Sequence, residues 1–227
     1  MFISKLNWKS YLNFTENLLI TKTGIKFMKI LAAGDIHGDK LLVRELAKKA
    51  DKEKVDLVVL CGDLTLSESS TQDLIGPFLK NKIKFAFVPG NHESLATADF
   101  LADLYKVTNL HNHPIAFGNI GLFGCGGGNI GLSQLPEMEI YGVLKKGFDR
   151  VKDLKTKIMI THVHPSGTLM EKFTNFFPGS VAIRKAVESF KPNMLLCSHV
   201  HEAEGVEENL GNTKVINVGR KGKIIEI

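Results

Sequence analysis

Five short apolar runs in this chain each stop at a carboxylate, an amide or an imidazole, and that recurrence restricts the fold more than any property of the whole sequence. The run Ile83-Lys84-Phe85-Ala86-Phe87-Val88 closes with Pro89-Gly90 and is followed at once by Asn91-His92-Glu93. A run rich in β-branched and aromatic residues, ended by Pro-Gly, predicts a buried strand that terminates in a turn. Residues 29–33 lead in the same way to Gly34-Asp35-Ile36-His37, and Asp56–Cys61 lead to Gly62-Asp63. Lys157–Ile160 lead to Thr161-His162-Val163-His164, and Met194–Cys197 to Ser198-His199-Val200-His201.

Between these runs the period changes. Residues 40–50 place Leu41, Leu42, Leu46 and Ala47 on one side and Arg44, Lys48 and Lys49 on the other, the spacing of an amphipathic helix. Further helices are expected over 71–81, 94–105 (capped by Ser94 or Thr97), 136–151 and 180–190. Alternation of strand and helix predicts parallel βαβ units with right-handed crossovers, an α/β fold. In the middle, Pro114–Phe117 and Ile120–Phe123 flank Gly118-Asn119, a hairpin signature. Residues 203–227 read as antiparallel strands with turns at Gly211-Asn212 and Gly219–Gly222. From Met28 onward nothing marks a domain boundary, so residues 28–227 are expected to form a single domain. Residues 1–27 read as an N-terminal extension, either a short helix or the product of an upstream start codon, with Met28 opening the first strand.

Net charge is +5, and Lys5, Lys9, Lys22 and Lys26 lie within the extension against one acid, Glu16. The remainder is nearly balanced, which argues against a basic nucleic-acid-binding face. Cys61, Cys125 and Cys197 are scattered without Cys-x-x-Cys spacing, and fit small buried thiols in a reducing, cytoplasmic setting. No apolar run approaches the ~20 residues that cross a bilayer.

In open α/β sheets the functional site lies beyond the carboxyl ends of the strands, so the polar residues after the five runs are expected along one such edge. Imidazole nitrogen with carboxylate and amide oxygen is a ligand set for Mn, Fe, Zn, Ni or Co. There are too many ligands for one ion, which points to two, and a carboxylate can bridge a pair about 3.5–4 Å apart. Asp63, alone on its strand end, is the candidate bridge. Any single strand-end Asp or His would more commonly be a helix cap or a solvated side chain. The convergence of so many ligand types is what weighs against that reading.

Asp-x-His, Gly-Asp, Gly-Asn-His-Glu, a lone His after a strand and His-x-His, in this order, resemble the calcineurin-like metallophosphoesterase family. The stretches Thr161–Thr168, Pro178–Arg184 and Ile216–Gly219 look like its small cap-less branch related to class III cyclic-nucleotide phosphodiesterases. The resemblance implies a four-layer α/β-β/α sandwich of two mixed β-sheets flanked by helices. It implies a first divalent ion on Asp35, His37, Asp63 and His201, and a second on Asp63, Asn91, His162 and His199. Manganese is the favoured ion, and His92 would be the non-ligand catalytic histidine near the leaving group. The activity implied is hydrolysis of small phosphorylated substrates, phosphodiesters foremost, by attack of a metal-bound hydroxide. A phosphomonoesterase or nucleotide pyrophosphatase on the same site, or a non-catalytic metal-binding scaffold, are the alternatives; a nuclease is a weaker one. Two departures stand out: Ser198 occupies a position the family usually fills with Gly, and His164 one where the branch often has proline.

Other residues are read plainly. Asp39 is expected to cap the first helix, Gly124–Gly128 to be a tight backbone approach or flexible loop, and His111 and His113 to be solvated. Glu93 and Glu202 are expected to partner ligand imidazoles. Phe173, Phe176 and Phe177 suit packing, a contact in a homo-oligomer, or a lip facing substrate.

Overall fold

The structure, a computed structural model, describes residues 27–174 and 176–227. The expected N-terminal extension therefore lies, but for Phe27, outside the described residues. The chain runs β1 (Lys29–Ala33), α1 (Lys40–Lys52), β2 (Leu57–Cys61), α2 (Gly76–Leu79), β3 (Lys84–Val88), α3 (Leu95–Tyr105) and β4 (Thr108–Asn109). It continues through β5 (Ile115–Phe117), β6 (Ile120–Cys125), α4 (Glu137–Val151), β7 (Thr156–Thr161), α5 (Val181–Phe190) and β8 (Met194–Cys197). The last three strands are β9 (Glu207–Leu210), β10 (Thr213–Asn217) and β11 (Lys223–Glu226), and single turns of 3₁₀ helix lie at Leu169–Phe173 and His201–Ala203.

Two mixed sheets result, in the orders β11-β1-β2-β3-β4 and β5-β6-β7-β8-β10-β9. Strands β1 to β4 are parallel and β11 closes that sheet antiparallel to β1. In the second sheet β6, β7, β8 and β10 are parallel, edged by antiparallel β5 and β9. The strand period of two then sorts side chains into three layers of core. Ile30, Ala32, Leu57, Val59, Ala86 and Val88 meet Leu122, Ile158, Ile160, Leu196 and Ile216 between the sheets. Alternating with them, Leu31, Val58, Leu60, Phe85 and Phe87 pack under α1 to α3. Phe123, Met159, Leu195 and Val215 pack under α4 and α5. The central strands are thus buried on both faces, which is why they read as nearly unbroken apolar runs. Phe87 and Phe123 are fully buried, and truncating either to Ala should cost about 3–5 kcal/mol.

Where strand and helix expectations and structure part, local chemistry gives the reason. Helix 71–81 shrinks to Gly76–Leu79. Pro77 lacks an N–H and disfavours helical geometry in the residue before it, and Asp73 and Lys82 take left-handed backbone at φ 63° and 59°. Strand β4 is only two residues long and carries no period. The tail forms the β9–β10 hairpin as expected, but β11 leaves it and returns to the first sheet, pairing Lys29 with Glu226. The caps fall as the composition indicates: Asp39 accepts from the N–H groups of Leu41 and Leu42 at 3.1 and 3.0 Å, and Ser94 from Thr97 at 3.1 Å.

Candidate metal centre

The five strand exits belong to two sheets, three to the first and two to the second, so the site spans both sheet edges rather than one. Their loops are sewn together by backbone. Asp35 N–H donates to Gly62 O (3.1 Å), His37 N–H to Asp63 O (2.8 Å) and Gly38 N–H to Leu64 O (2.8 Å). Across the sheets, the Asp35 carboxylate accepts from His199 N–H at 3.2 Å. Packing these loops together leaves no space for a side chain at several points, Gly62 and Gly90 among them. A Cβ on Gly90 would collide with the Asp63 carboxylate, and one on Gly62 with the His162 ring; Gly62 also takes φ 92°. Asp35, His37, Asp63 and His199 themselves adopt left-handed backbone, at φ 52°, 48°, 53° and 71°. That conformation costs a non-glycine residue of order 1–3 kcal/mol, and such strain clusters at functional sites.

The expected site residues come together in two groups. In one, His162 Nε2 lies 2.9 Å from Asn91 Oδ1, 3.1 Å from His199 Nδ1 and 3.3 Å from Asp63 Oδ2. In the other, His37 Nε2 lies 3.2 Å from His201 Nε2 and 3.7 Å from Asp63 Oδ2, and His201 Nε2 lies 3.8 Å from Asp35 Oδ1. Atoms bound to one ion at about 2.1 Å sit about 3.0–3.4 Å apart in octahedral or tetrahedral geometry, so both groups are near the spacing an ion requires. Asp63 belongs to both through a single oxygen, Oδ2; its Oδ1 accepts from His92 N–H at 3.0 Å. Only Oδ2 is therefore free to face both groups, since Oδ1 holds the His92 backbone.

Ring orientation fits metal binding. His162 Nδ1–H donates to Cys61 O at 2.9 Å, which directs the Nε2 lone pair inward when the ring is neutral. The free nitrogens His37 Nδ1 and His199 Nε2 are buried without hydrogen-bond partners, and the rings are fixed instead by packing. Burial depresses His37 to about 4 and His199 to about 3, so both are neutral imidazoles at pH 7. His162 behaves oppositely. Burial alone would depress it, but Asp63, Asp35 and the Cys61 carbonyl together raise it to about 9 in the metal-free protein. Burial would raise Asp63, yet His162, the His92 N–H and His37 hold it well below the usual carboxylate range. Burial and the neighbouring Asp63 charge raise Asp35. His92 stands beside these groups, its Nε2 3.9 Å from Asp63 Oδ2 and its ring edge-on to His37 at 4.9 Å.

Several neighbours serve otherwise than expected. Glu93 does not touch a ligand imidazole: its buried carboxylate accepts from Gly90 N–H (2.9 Å), Thr65 N–H and Thr65 Oγ1–H (3.0 Å), locking two strand exits together. Burial and the Asp63 charge push it up to about 7. Glu202 is exposed. His111 is buried, not solvated, because its Nδ1 accepts from Gly126 N–H at 3.1 Å, while His113 is exposed. The glycine-rich stretch is a close approach to the β3 exit, with Gly127 N–H donating to Pro89 O at 3.0 Å. His164 is buried outside both groups with both ring nitrogens unpartnered, and burial depresses it to about 4. Phe177 packs edge-on against His199 at 5.0 Å, whereas Phe173 and Phe176 are exposed. Ser198 leaves the ligands in place and adds a bond, its Oγ donating to Cys61 O at 2.7 Å. Two residues went unforeseen: Thr65, on Glu93, and Ser67, whose Oγ is 3.3 Å from His92 Nδ1. Both lie in an aperiodic loop.

No curated protein matches the chain by sequence. Among solved structures, the TT1561 protein of Thermus thermophilus superposes with a TM-score of 0.69 at 19% identity, covering 88% of this chain and 99% of that one. A dimetal phosphatase from Danio rerio superposes with a TM-score of 0.59 at 11% identity, covering 85% of this chain and 87% of the other. An archaeal phosphodiesterase superposes with a TM-score of 0.51 at 15% identity, covering 88% and 100%. At these identities the likeness is one of fold. The family model for calcineurin-like phosphoesterases matches residues 28–203, and the chain belongs to that family. It is a family of divalent-metal-dependent proteins. Among the described residues no helix is long and apolar enough to cross a membrane.

Proposed function

We propose that this calcineurin-like phosphoesterase is a dinuclear hydrolase of small phosphodiesters, with residues 28–227 as its single catalytic domain. The observation that carries the reading is the single Asp63 oxygen facing both ligand groups, 3.7 Å from His37 Nε2 and 3.3 Å from His162 Nε2. Asp35, His37 and His201 would complete the first position, and Asn91, His162 and His199 the second. This nitrogen and oxygen donor set, free of thiolate, suits manganese and its neighbours. Two such ions, when bound, supply a water of low pKa as nucleophile and neutralise phosphoryl charge.

The chain's own residues do the rest. Asn91 contributes an oxygen without adding negative charge against an anionic substrate. The Cys61 carbonyl and Ser198 hold the His162 ring, and Glu93 holds the exits of β2 and β3 in register. His92, partly open to solvent, would give its proton to the departing alkoxide, a role worth roughly 10²–10⁴-fold in rate. Three buried free cysteines are compatible with the reducing cytoplasm.

Turnover of bis(4-nitrophenyl) phosphate and of 4-nitrophenyl phosphate, with Mn²⁺ and with chelator, tests the reading in the native chain and in Asn91→Ala. Diester cleavage that requires metal and falls at least about 100-fold in the variant is expected. Preference for the monoester would move the assignment to a phosphatase. Binding of two ions with no turnover, across nucleotide pyrophosphates as well, would leave a scaffold.

A further inference from the structure

We infer that Ser67 is the positioning residue for His92, holding its Nδ1–H so that Nε2 is presented to the leaving oxygen. The inference rests on the assignment of His92 as proton donor. Ser67 Oγ lies 3.3 Å from His92 Nδ1, and among the described residues the His92 ring makes no other hydrogen bond. The loop around Ser67 is tied to the segment carrying His92 on both sides. Thr65 Oγ1, whose proton goes to the Glu93 carboxylate next to His92, lies 3.2 Å from His92 O, and Ser94 N–H donates to Glu68 Oε1 (2.8 Å). Glu68 N–H in turn donates to Thr65 Oγ1 at 3.2 Å. Ser67 and Glu68 both take left-handed backbone, at φ 49° and 59°. Serine has no conformational reason to occupy such a position, where Gly, Asn or Asp costs less.

The path of the proton defines the hydroxyl's part. As the bond from phosphorus to the leaving oxygen breaks, its electron pair takes the proton from Nε2 of a doubly protonated His92. The ring then remains as the neutral Nδ1–H tautomer. Ser67 Oγ accepts from Nδ1–H before and after transfer, so it favours the product tautomer and fixes the ring plane throughout. A hydroxyl does this without a carboxylate's charge, which keeps the negative field beside the anionic substrate low.

The test uses Ser67→Gly and Ser67→Asn in the full chain. Glycine removes the hydroxyl while relieving the left-handed backbone, so thermal stability and bound metal should be unchanged or higher. Asparagine tolerates the same backbone and restores an acceptor. With methyl aryl phosphodiesters, Ser67→Gly should lower kcat about tenfold for phenolate as leaving group, at unchanged KM. The loss should be less than about threefold for 4-nitrophenolate, which needs little protonation, and Ser67→Asn should recover most of it. Independently of turnover, ¹⁵N NMR of the histidine rings in alkaline buffer should show His92 as the Nδ1–H tautomer in the native chain and Nε2–H in Ser67→Gly. An unchanged tautomer, or a kcat loss independent of leaving group, would overturn the inference. If the native chain proves inactive with metal, the proposed function fails while the tautomer still decides Ser67's role.

Discussion

The two ligand groups share one carboxylate oxygen and differ in almost everything else. Around the second, the His162 side chain is 0% exposed, whereas the His201 side chain of the first is 48% exposed. The second group is braced by the Cys61 carbonyl, Ser198 Oγ and the Phe177 ring; the first draws one ligand, His201, from a single turn of 3₁₀ helix. An ion in the dry group would be held by fixed, desolvated ligands, and one in the open group would exchange with solvent more readily. Burial of donor atoms, rather than their number, should therefore rank the two affinities.

Removing what the groups share should have the largest effect. Asp63→Ala is expected to abolish turnover and empty both positions, read as metal content by elemental analysis; retention of one tightly held ion would show that the groups are independent. Next in size is the contrast between His162→Ala and His201→Ala. The first should weaken the tighter ion by well over the 10–100-fold typical of outer-shell changes, and the second should cost only the weaker ion. Equal losses would refute the ranking. The contrast extends to pH. Because His162 is raised to about 9 without metal, binding at the second group at pH 7 must displace its proton, whereas His37, held at about 4, is already free. Affinity of the tighter position should thus rise about tenfold per pH unit up to about 9, with release of close to one proton measured calorimetrically in buffers of different ionisation enthalpy. The metal-free chain responds with the opposite sign: the His162–Asp63 attraction contributes its stability below about 6.5, and that contribution is lost as pH rises through 9. The smallest effect belongs to Ser198→Gly, which removes the second donor to Cys61 O while leaving His162 its own bond. Affinity at the second position should drop less than tenfold, and a larger drop would make the hydroxyl the main brace.

How far these properties were legible depends on whether they follow a period. Strands β1, β2, β3, β7 and β8 announce themselves by apolar runs buried on both faces, and the ligands follow because they sit at fixed offsets from those runs. The Asp39 and Ser94 caps are equally local. Glu93 misled because adjacency in sequence to Asn91 and His92 is not adjacency in space: its side chain turns back onto Gly90 and Thr65. His111 looked solvated because it flanks Asn112 with His113, and the contact with Gly126 that accompanies its burial comes from a distant strand exit. Ser67 reaches the site from a loop whose course depends on tertiary contacts, and the same dependence is why Phe177 could not be told from Phe173 and Phe176 as the ring that meets His199.

The left-handed backbone at Asp35, His37, Asp63 and His199 bears on how this lineage could change. The backbone at each of these positions would be easier to occupy with glycine, so at the two histidines ordinary mutational drift offers stability in exchange for the ligands. A descendant released from selection for hydrolysis should melt higher on losing His37 or His199, but not on losing Asp35 or Asp63, whose carboxylates also accept backbone N–H bonds across the loops. If the proposed hydrolysis holds, the joint presence of all four residues here is what selection for chemistry, rather than for shape, would retain.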